Sequence, residues 1–242
     1  GWVTLPVFRF LRVALFSSGD ELCEPGAPLA AGSIYDVNRP ILRALLRQLP
    51  VDVSDLGILP DREAVIREAL RAAACDHDVV LTSGGASRGD EDHLPRTLAQ
   101  CGRLHFWRIA MKPGRPLALG ELERAFVINL PGNPVAAMVG FALFARPLLL
   151  ALAGAGFRRP QFVELPAAFA LRKRRGRSEF VRARLVHSPD GQTTVERIAR
   201  EGSGILTSMT EADGLVFLRD EVERIEPGDP VPYAGFTELG IS

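Results

Sequence analysis

Residues 78–93 read DVVLTSGGASRGDEDH. The run VVLT is short, apolar and β-branched, and it ends on a glycine pair, so it predicts a buried strand running into a glycine turn. HLPRTLAQCG (93–102) follows as a short helix with a glycine stop. A strand, a turn and a helix in that order are the unit of a sheet covered by crossover helices, which predicts an α/β fold. The same unit recurs on both sides. Upstream, RVALF (12–16) reads as a strand, and DVNRPILRALLRQL (36–49) places Ile41, Leu42, Leu45, Leu46 and Leu49 on one helical face with Asp36 as N-cap. VDVSDLGIL (51–59) is the next strand, and Asp61 is expected to cap a helix carrying Val65, Ile66, Ala69, Leu70 and Ala73. Downstream, FWRIAM, PLALG and AFVINL read as strands before the long apolar helix NPVAAMVGFALFARPLLLALAG (133–154).

After residues 158–161 the character changes to short strand-like runs separated by Gly, Pro and Asp, among them SEFVRARLVH and DPVPYAG. Two domains are therefore expected: α/β over residues 8–157 and a small all-β domain over 158–242. The 242 residues suffice for that, and 47% hydrophobic content is enough for a real core. With 29 basic and 29 acidic residues there is no global field to attract a polyanion, so no nucleic-acid partner is expected. Cys23, Cys75 and Cys101 are odd in number and widely spaced, which argues against a disulfide framework and for a reducing, cytoplasmic compartment. No stretch is expected to reach the roughly 20 apolar residues of a membrane span, so no membrane partner is expected, and the first ten residues lack a signal-peptide pattern. The chain opens on Gly rather than Met, so a longer parent is expected.

Four loops fall at the carboxyl ends of the expected strands, where open α/β sheets bind ligands. SSGDELCEPG (17–26) carries Asp20 and Glu21, and LPDRE (59–63) carries Asp61. TSGGASRGDED (82–92) supplies Ser83, Gly84, Gly85 and Ser87, whose backbone N–H groups can converge on a phosphate. Asp90, Glu91 and Asp92 follow directly, and carboxylates beside an anion pocket call for a hard cation, most simply Mg²⁺. FWRIAMKPGRP (106–116) and LPGNP (130–134) complete the set. In an extended strand Arg108 and Lys112 share a side, with Arg115 just past the turn, and three such cations suit phosphate or molybdate oxygens. Pro131 and Pro134 bracket a backbone kink whose Asn133 can cap the long helix. Taken singly, each loop also fits a purely structural role. Together they define one site.

The motifs VALFSSGDEL, GSIYDVNRPIL, SGGASRGDEDH, MKPGRPLALG and LPGNPVAAM, in this order and spacing, resemble the MoeA/gephyrin E-domain family of molybdopterin molybdenumtransferases. GRSEFVRARL and GSGILTSMTEADGL are similar to that family's C-terminal region, so the resemblance covers essentially the whole chain. It implies a MogA/MoaB-like three-layer α/β domain that binds molybdopterin, followed by a small β-barrel. It also implies two further N-terminal domains and a homodimer whose cleft is completed by the partner, so this chain alone would be inactive or weak. The implied reaction inserts molybdenum from molybdate into adenylated molybdopterin, with Mg²⁺ present and AMP released. The adenylyltransferase of the same pathway is an implied partner. Glu21, Asp61 and Asp92 stand at the family's acidic positions and would hold Mg²⁺. Lys112 matches a family lysine, Pro131 and Pro134 match its prolines, and Arg108 and Arg115 replace usual lysines. Val37 and Asp213 also depart from the usual residues. Because a eukaryotic relative anchors receptors, an interaction scaffold without turnover is the alternative.

The run RKRRGR (172–177) has five cations in six positions, but only Phe180 lies nearby to stack a base. Single-strand binders interleave aromatic rings, so a solvated hairpin or structural loop is expected here.

Overall fold

The structure, a computed structural model, describes residues 1–84, 93–199, 202, 204 and 206–241. Strand β1 (Leu11–Ser18) is followed by a loop in which β2 (Leu22–Cys23) pairs with β3 (Ile34–Tyr35). Helix α1 (Asn38–Leu46), β4 (Val51–Leu59), α2 (Glu63–Asp76), β5 (Val79–Gly84) and α3 (His93–Cys101) then alternate. They lead to β6 (Arg103–Trp107), β7 (Met111–Lys112), β8 (Ala118–Leu122) and β9 (Ala125–Leu130). The sheet order is β4-β1-β5-β9-β8-β6, parallel through β9 and antiparallel beyond it.

Side-chain alternation sorts this sheet into two cores. Leu11, Val13, Leu15, Val79 and Leu81 pack with Leu42, Leu45 and Leu46 of α1, whereas Ala14, Phe16 and Val80 pack with Ile66 and Leu70 of α2 and Leu94 and Leu98 of α3. Strands buried on both faces read as continuous apolar runs, which is why RVALF looks as it does. Helices cover both faces, giving the expected three layers.

Both expected helix caps shift. Helix α1 starts at Asn38, and Asp36 sits one residue outside the cap position, where its Oδ1 accepts the Arg39 N–H at 3.2 Å. Arg62 rather than Asp61 takes the cap position of α2, and it makes no side-chain cap bond.

Helix α4 (Pro134–Gly140) continues through a π turn, Phe141–Ala145, into α5 (Arg146–Leu150) and a second π turn, Ala151–Ala155. The expectation that no stretch reaches membrane-span length fails here. Pro134–Ala155 is 22 residues with a hydropathy of 2.1, long and apolar enough by length and composition to cross a bilayer. In this fold it lies between two cores. Ala137, Phe141, Ala145 and Leu149 face the sheet, while Val135, Val139 and Ala142 pack against Met209, Leu215 and Leu239 of the second half. Its apolar composition reflects packing on two sides, although its last turn, Ala151–Ala155, contains no buried residue.

The second half comprises β10 (Val163–Pro166), β11 (Leu171–Arg172), β12 (Ser178–His187), β13 (Thr193–Arg197), α6 (Thr207–Thr210), β14 (Gly214–Leu218), β15 (Arg224–Ile225), β16 (Pro230–Gly235) and α7 (Phe236–Leu239). Its main sheet runs β10-β16-β14-β12-β13, and a bridge between Ala167 and Val195 draws the two edges together into a barrel around Ala183, Val216, Val231 and Tyr233. Strand β7, from the first half, pairs in parallel with β12, setting Met111 opposite Ser178 and Lys112 opposite Glu179. The three cysteines are free thiols.

Candidate functional site

A cleft of about 1170 Å³ opens where the carboxyl ends of β1, β5 and β9 face the barrel. The strand order places β4 and β5 on opposite sides of β1, so the chain reverses direction across the sheet here, and α/β sheets bind ligands at such a switch point. Register sets the floor, with Ser17 beside Ser83 and Ser18 beside Gly84. Gly84 has φ +99°, and a Cβ built there would stand 2.2 Å from the Ser18 carbonyl oxygen, so this turn requires glycine. Asn38, the first residue of α1, ties the floor to the next turn through its Nδ2. That nitrogen donates to Ser83 Oγ at 2.7 Å and to the Gly132 carbonyl at 2.7 Å.

The walls are mainly basic. Lys112 and Arg115 come from the β7 turn, and Arg177, Arg182 and Arg197 come from the barrel. Buried Glu179 receives Lys112 Nζ at 3.2 Å and Arg177 Nη2 at 3.5 Å, fixing both cations at the rim. Arg182 Nη1 donates to Ser208 Oγ at 2.8 Å and to the Gly202 carbonyl at 2.9 Å. With Glu21 and Asp36 as the other acids in the lining, cations exceed carboxylates, and the cleft favours an anion with several oxygens.

One wall is braced from beneath. Buried Arg39 binds Asp36 through Nε at 3.1 Å, Asp55 through Nη1 at 2.8 Å and Glu24 through Nη2. Burial opposes the Arg39 charge, but the bonds to Asp55, Glu24 and Asp36 outweigh it and raise its pKa. Burial likewise disfavours the Asp55 charge, yet the Arg39 bond and the Gly57 N–H lower its pKa. The loop between β1 and α1, which carries Glu21, is thereby anchored to α1 and β4.

Residues 14–151 match the family model of a probable molybdopterin binding domain, and residues 164–236 match that of the MoeA C-terminal region, domain IV. The chain belongs to the MoeA family of molybdopterin-binding proteins. Its relatives include a molybdopterin molybdenumtransferase of Haemophilus influenzae, 38% identical over 99% of this chain and 59% of that protein. One from Nostoc is 33% identical over 88% of this chain and 50% of its own length. A molybdopterin biosynthesis MoeA protein from Pyrococcus horikoshii superposes with a TM-score of 0.79 at 28% identity, covering 94% of this chain and 55% of that one. The chain thus spans between 50% and 59% of the length of these relatives.

The MoeA motifs distribute unevenly over the site. Glu21, Ser83, Gly84, Lys112, Arg115, Pro131, Asn133 and Pro134 line the cleft. Gly85, Ser87 and Asp92 lie outside the described residues. Asp61 is not part of the lining, though its N–H donates to Asp20 Oδ1 at 3.0 Å, so its loop touches the Glu21 loop. Arg108 also stands apart from Lys112. The expected extended strand breaks at Arg108, which has φ +63° and stacks its guanidinium 4.3 Å from the Trp107 ring centroid. Hydrogen bonds from Arg108 N to Leu117 O and from Ile109 N to Arg115 O turn this segment into a hairpin, so its side chains do not alternate as a strand's would. Asn133 holds the N-cap position of α4 but makes no side-chain cap bond.

Among the described residues no three His, Cys, Asp or Glu side chains gather to hold a metal, so a Mg²⁺ site built on Glu21 and Asp61 calls for Asp92 as well. That donor set is all carboxylate oxygen, which suits Mg²⁺. Sequence reading missed Asn38, Arg177, Arg182 and Arg197. Arg177 closes the basic run 172–177, whose Lys173 and Arg175 are tied down within the barrel. Arg182 and Arg197 carried no signal, because nothing along the chain marks which alternate residues of a barrel strand face another domain.

Proposed function

We propose that this chain binds adenylated molybdopterin and takes part in inserting molybdenum from molybdate into it, with release of AMP, in molybdenum cofactor biosynthesis. One observation carries the reading: a glycine turn at the β1–β5 switch point and the cations of the β7 turn line the same cleft. A phosphoanhydride is a stable polyanion, so its hydrolysis needs neutralised charge more than an unusual nucleophile. A water oxygen bonds to one phosphorus as the bridging P–O bond breaks, which leaves AMP and a phosphate on the pterin. Lys112 and Arg115 hold phosphate or molybdate oxygens, Ser83 and Gly84 support the anion's backbone contacts, and Pro131 and Pro134 form a rigid wall. Gly85, Ser87, Arg108 and Asn133 are assigned to substrate on the family pattern alone. Mg²⁺ would be held by Glu21, Asp61 and Asp92 and would supply charge neutralisation at the anhydride.

The MoeA relatives are longer than this chain, and we assign the missing part of the active cleft to N-terminal domains of a homodimeric parent. The parent works in the reducing cytoplasm and receives its substrate from the adenylyltransferase of the pathway. Titration of the chain with adenylated molybdopterin tests the binding. Lys112→Ala and Arg115→Ala are each expected to weaken it roughly tenfold, the value of one charge-assisted contact. Unchanged affinity in both would sink the assignment. In the full-length parent, Asp61→Asn and Asp92→Asn are expected to abolish insertion while substrate still binds, and wild-type turnover by either would remove the acidic trio from the reaction.

A further inference from the structure

Three buried polar atoms of the cleft lining have no partner among the described residues: Asn38 Oδ1, Ser17 Oγ and Ser18 Oγ, the last of which alternation along β1 turns to the opposite face of the sheet from Ser17. Asn38 is 7% exposed and Ser17 is 1% exposed, and both line the cleft. A buried unsatisfied group costs free energy, so a pair of them in a ligand cleft marks where a ligand completes the bonding.

The amide orientation follows from its neighbours. The Gly132 carbonyl can only accept a hydrogen bond. The Ser83 hydroxyl donates to the Pro131 carbonyl at 3.3 Å and so also accepts from Asn38. Both acceptors therefore face Nδ2, and Oδ1 is left as a fixed acceptor that needs an N–H. Ser17 lies on the same side of the sheet. Val13 and Leu15 face the α1 core, and Ser17 continues that alternation beside its register partner Ser83. Its hydroxyl can donate as well as accept.

We infer that Asn38 Oδ1 and Ser17 Oγ form a subsite for a heterocycle edge that presents an N–H beside an acceptor atom. The N–H goes to Asn38 and the acceptor takes the Ser17 proton. The inference rests on the proposed substrate, which offers such an edge at both ends: the cyclic amide of the pterin and the amidine of adenine. This subsite reads a ring, whereas the cations read the phosphates.

Calorimetric titration of the 242-residue chain tests it with two ligand pairs, pterin-6-carboxylate against its N3-methyl derivative and AMP against N6,N6-dimethyl-AMP. The expected result is a roughly tenfold loss on methylation in one pair, with Ser17→Ala weakening the unmethylated member of that pair by a similar factor. The pair that responds identifies the end that is read. Ser17→Ala should also leave the ligand-free thermal midpoint unchanged or raised, because it removes an unsatisfied hydroxyl. A merely structural serine would instead lower the midpoint. If the chain binds these ligands but neither pair responds, or Ser17→Ala binds them as tightly as the unaltered chain, the subsite is refuted while the cleft reading stands. If the unaltered chain binds neither pterin nor AMP, the cleft reading fails and the subsite with it.

Discussion

Glu179 sits at the cleft rim with its carboxylate shared between Lys112 and Arg177, and it is far more buried than either cation. Glu179→Gln keeps the shape and removes the charge, so both cations become available to an anion. It is expected to tighten phosphate or molybdate binding several-fold while costing about 1 kcal/mol of stability, checked by titration and urea unfolding. Gly84 has no such latitude. Gly84→Ala forces a Cβ into the Ser18 carbonyl at a positive φ, and a loss of about 3 kcal/mol or failure to fold is expected in a denaturation series. At this scale the sequence was informative where chemistry is local. A glycine pair after a strand, and Lys112 and Arg115 about a Pro-Gly turn, announced themselves. Arg108 misled, because its side-chain direction depends on a hairpin closed by backbone bonds to Arg115 and Leu117, which spacing along one strand cannot express.

The element that matters most is the helix from Pro134 to Ala155. Its Phe141 is fully buried against the sheet, and its Val139 and Ala142 serve the core beneath the barrel. Phe141→Ala is expected to cost about 3–5 kcal/mol, read as a lowered urea midpoint, because the cavity lies in the middle of a packed layer. The strands and helices of the first half were legible as alternating periods, since each buries a face that repeats in sequence. Cap positions were less so. Asp36 and Asp61 both looked like caps, but Asp36 is committed to Arg39, and Asp61 lies a residue before the Arg62 cap position of α2.

Over the whole molecule, the N-terminal arm is fastened to the sheet by Arg9, whose guanidinium meets the Asp78 carboxylate at 2.6 and 2.7 Å. That bond, with help from the Arg12 N–H and against some burial, holds the Asp78 pKa at about 2, below its ordinary 3.8. On acidification the unfolded chain takes up this proton first. The stabilisation is therefore complete above the ordinary value and fades between pH 3.8 and about 2. Arg9 is largely exposed, so Arg9→Ala is expected to lower the thermal midpoint only slightly at neutral pH, with the difference from wild type vanishing near pH 2 in thermal melts. The change from mixed helical and strand periods to short strand-like runs near residue 160 was legible in the sequence, but the strand that crosses between the halves was not. Met111–Lys112 is too short to register as a strand without its partner in β12.

That crossing strand has a consequence for how the polypeptide behaves when cut. A protease nick in the exposed stretch 156–159 would sever the only covalent link between the halves, yet the donated strand and the shared helix would keep the fragments mated. They should co-migrate on gel filtration and part only in denaturant, so the aperture between them behaves as a fixed slot rather than a hinged jaw.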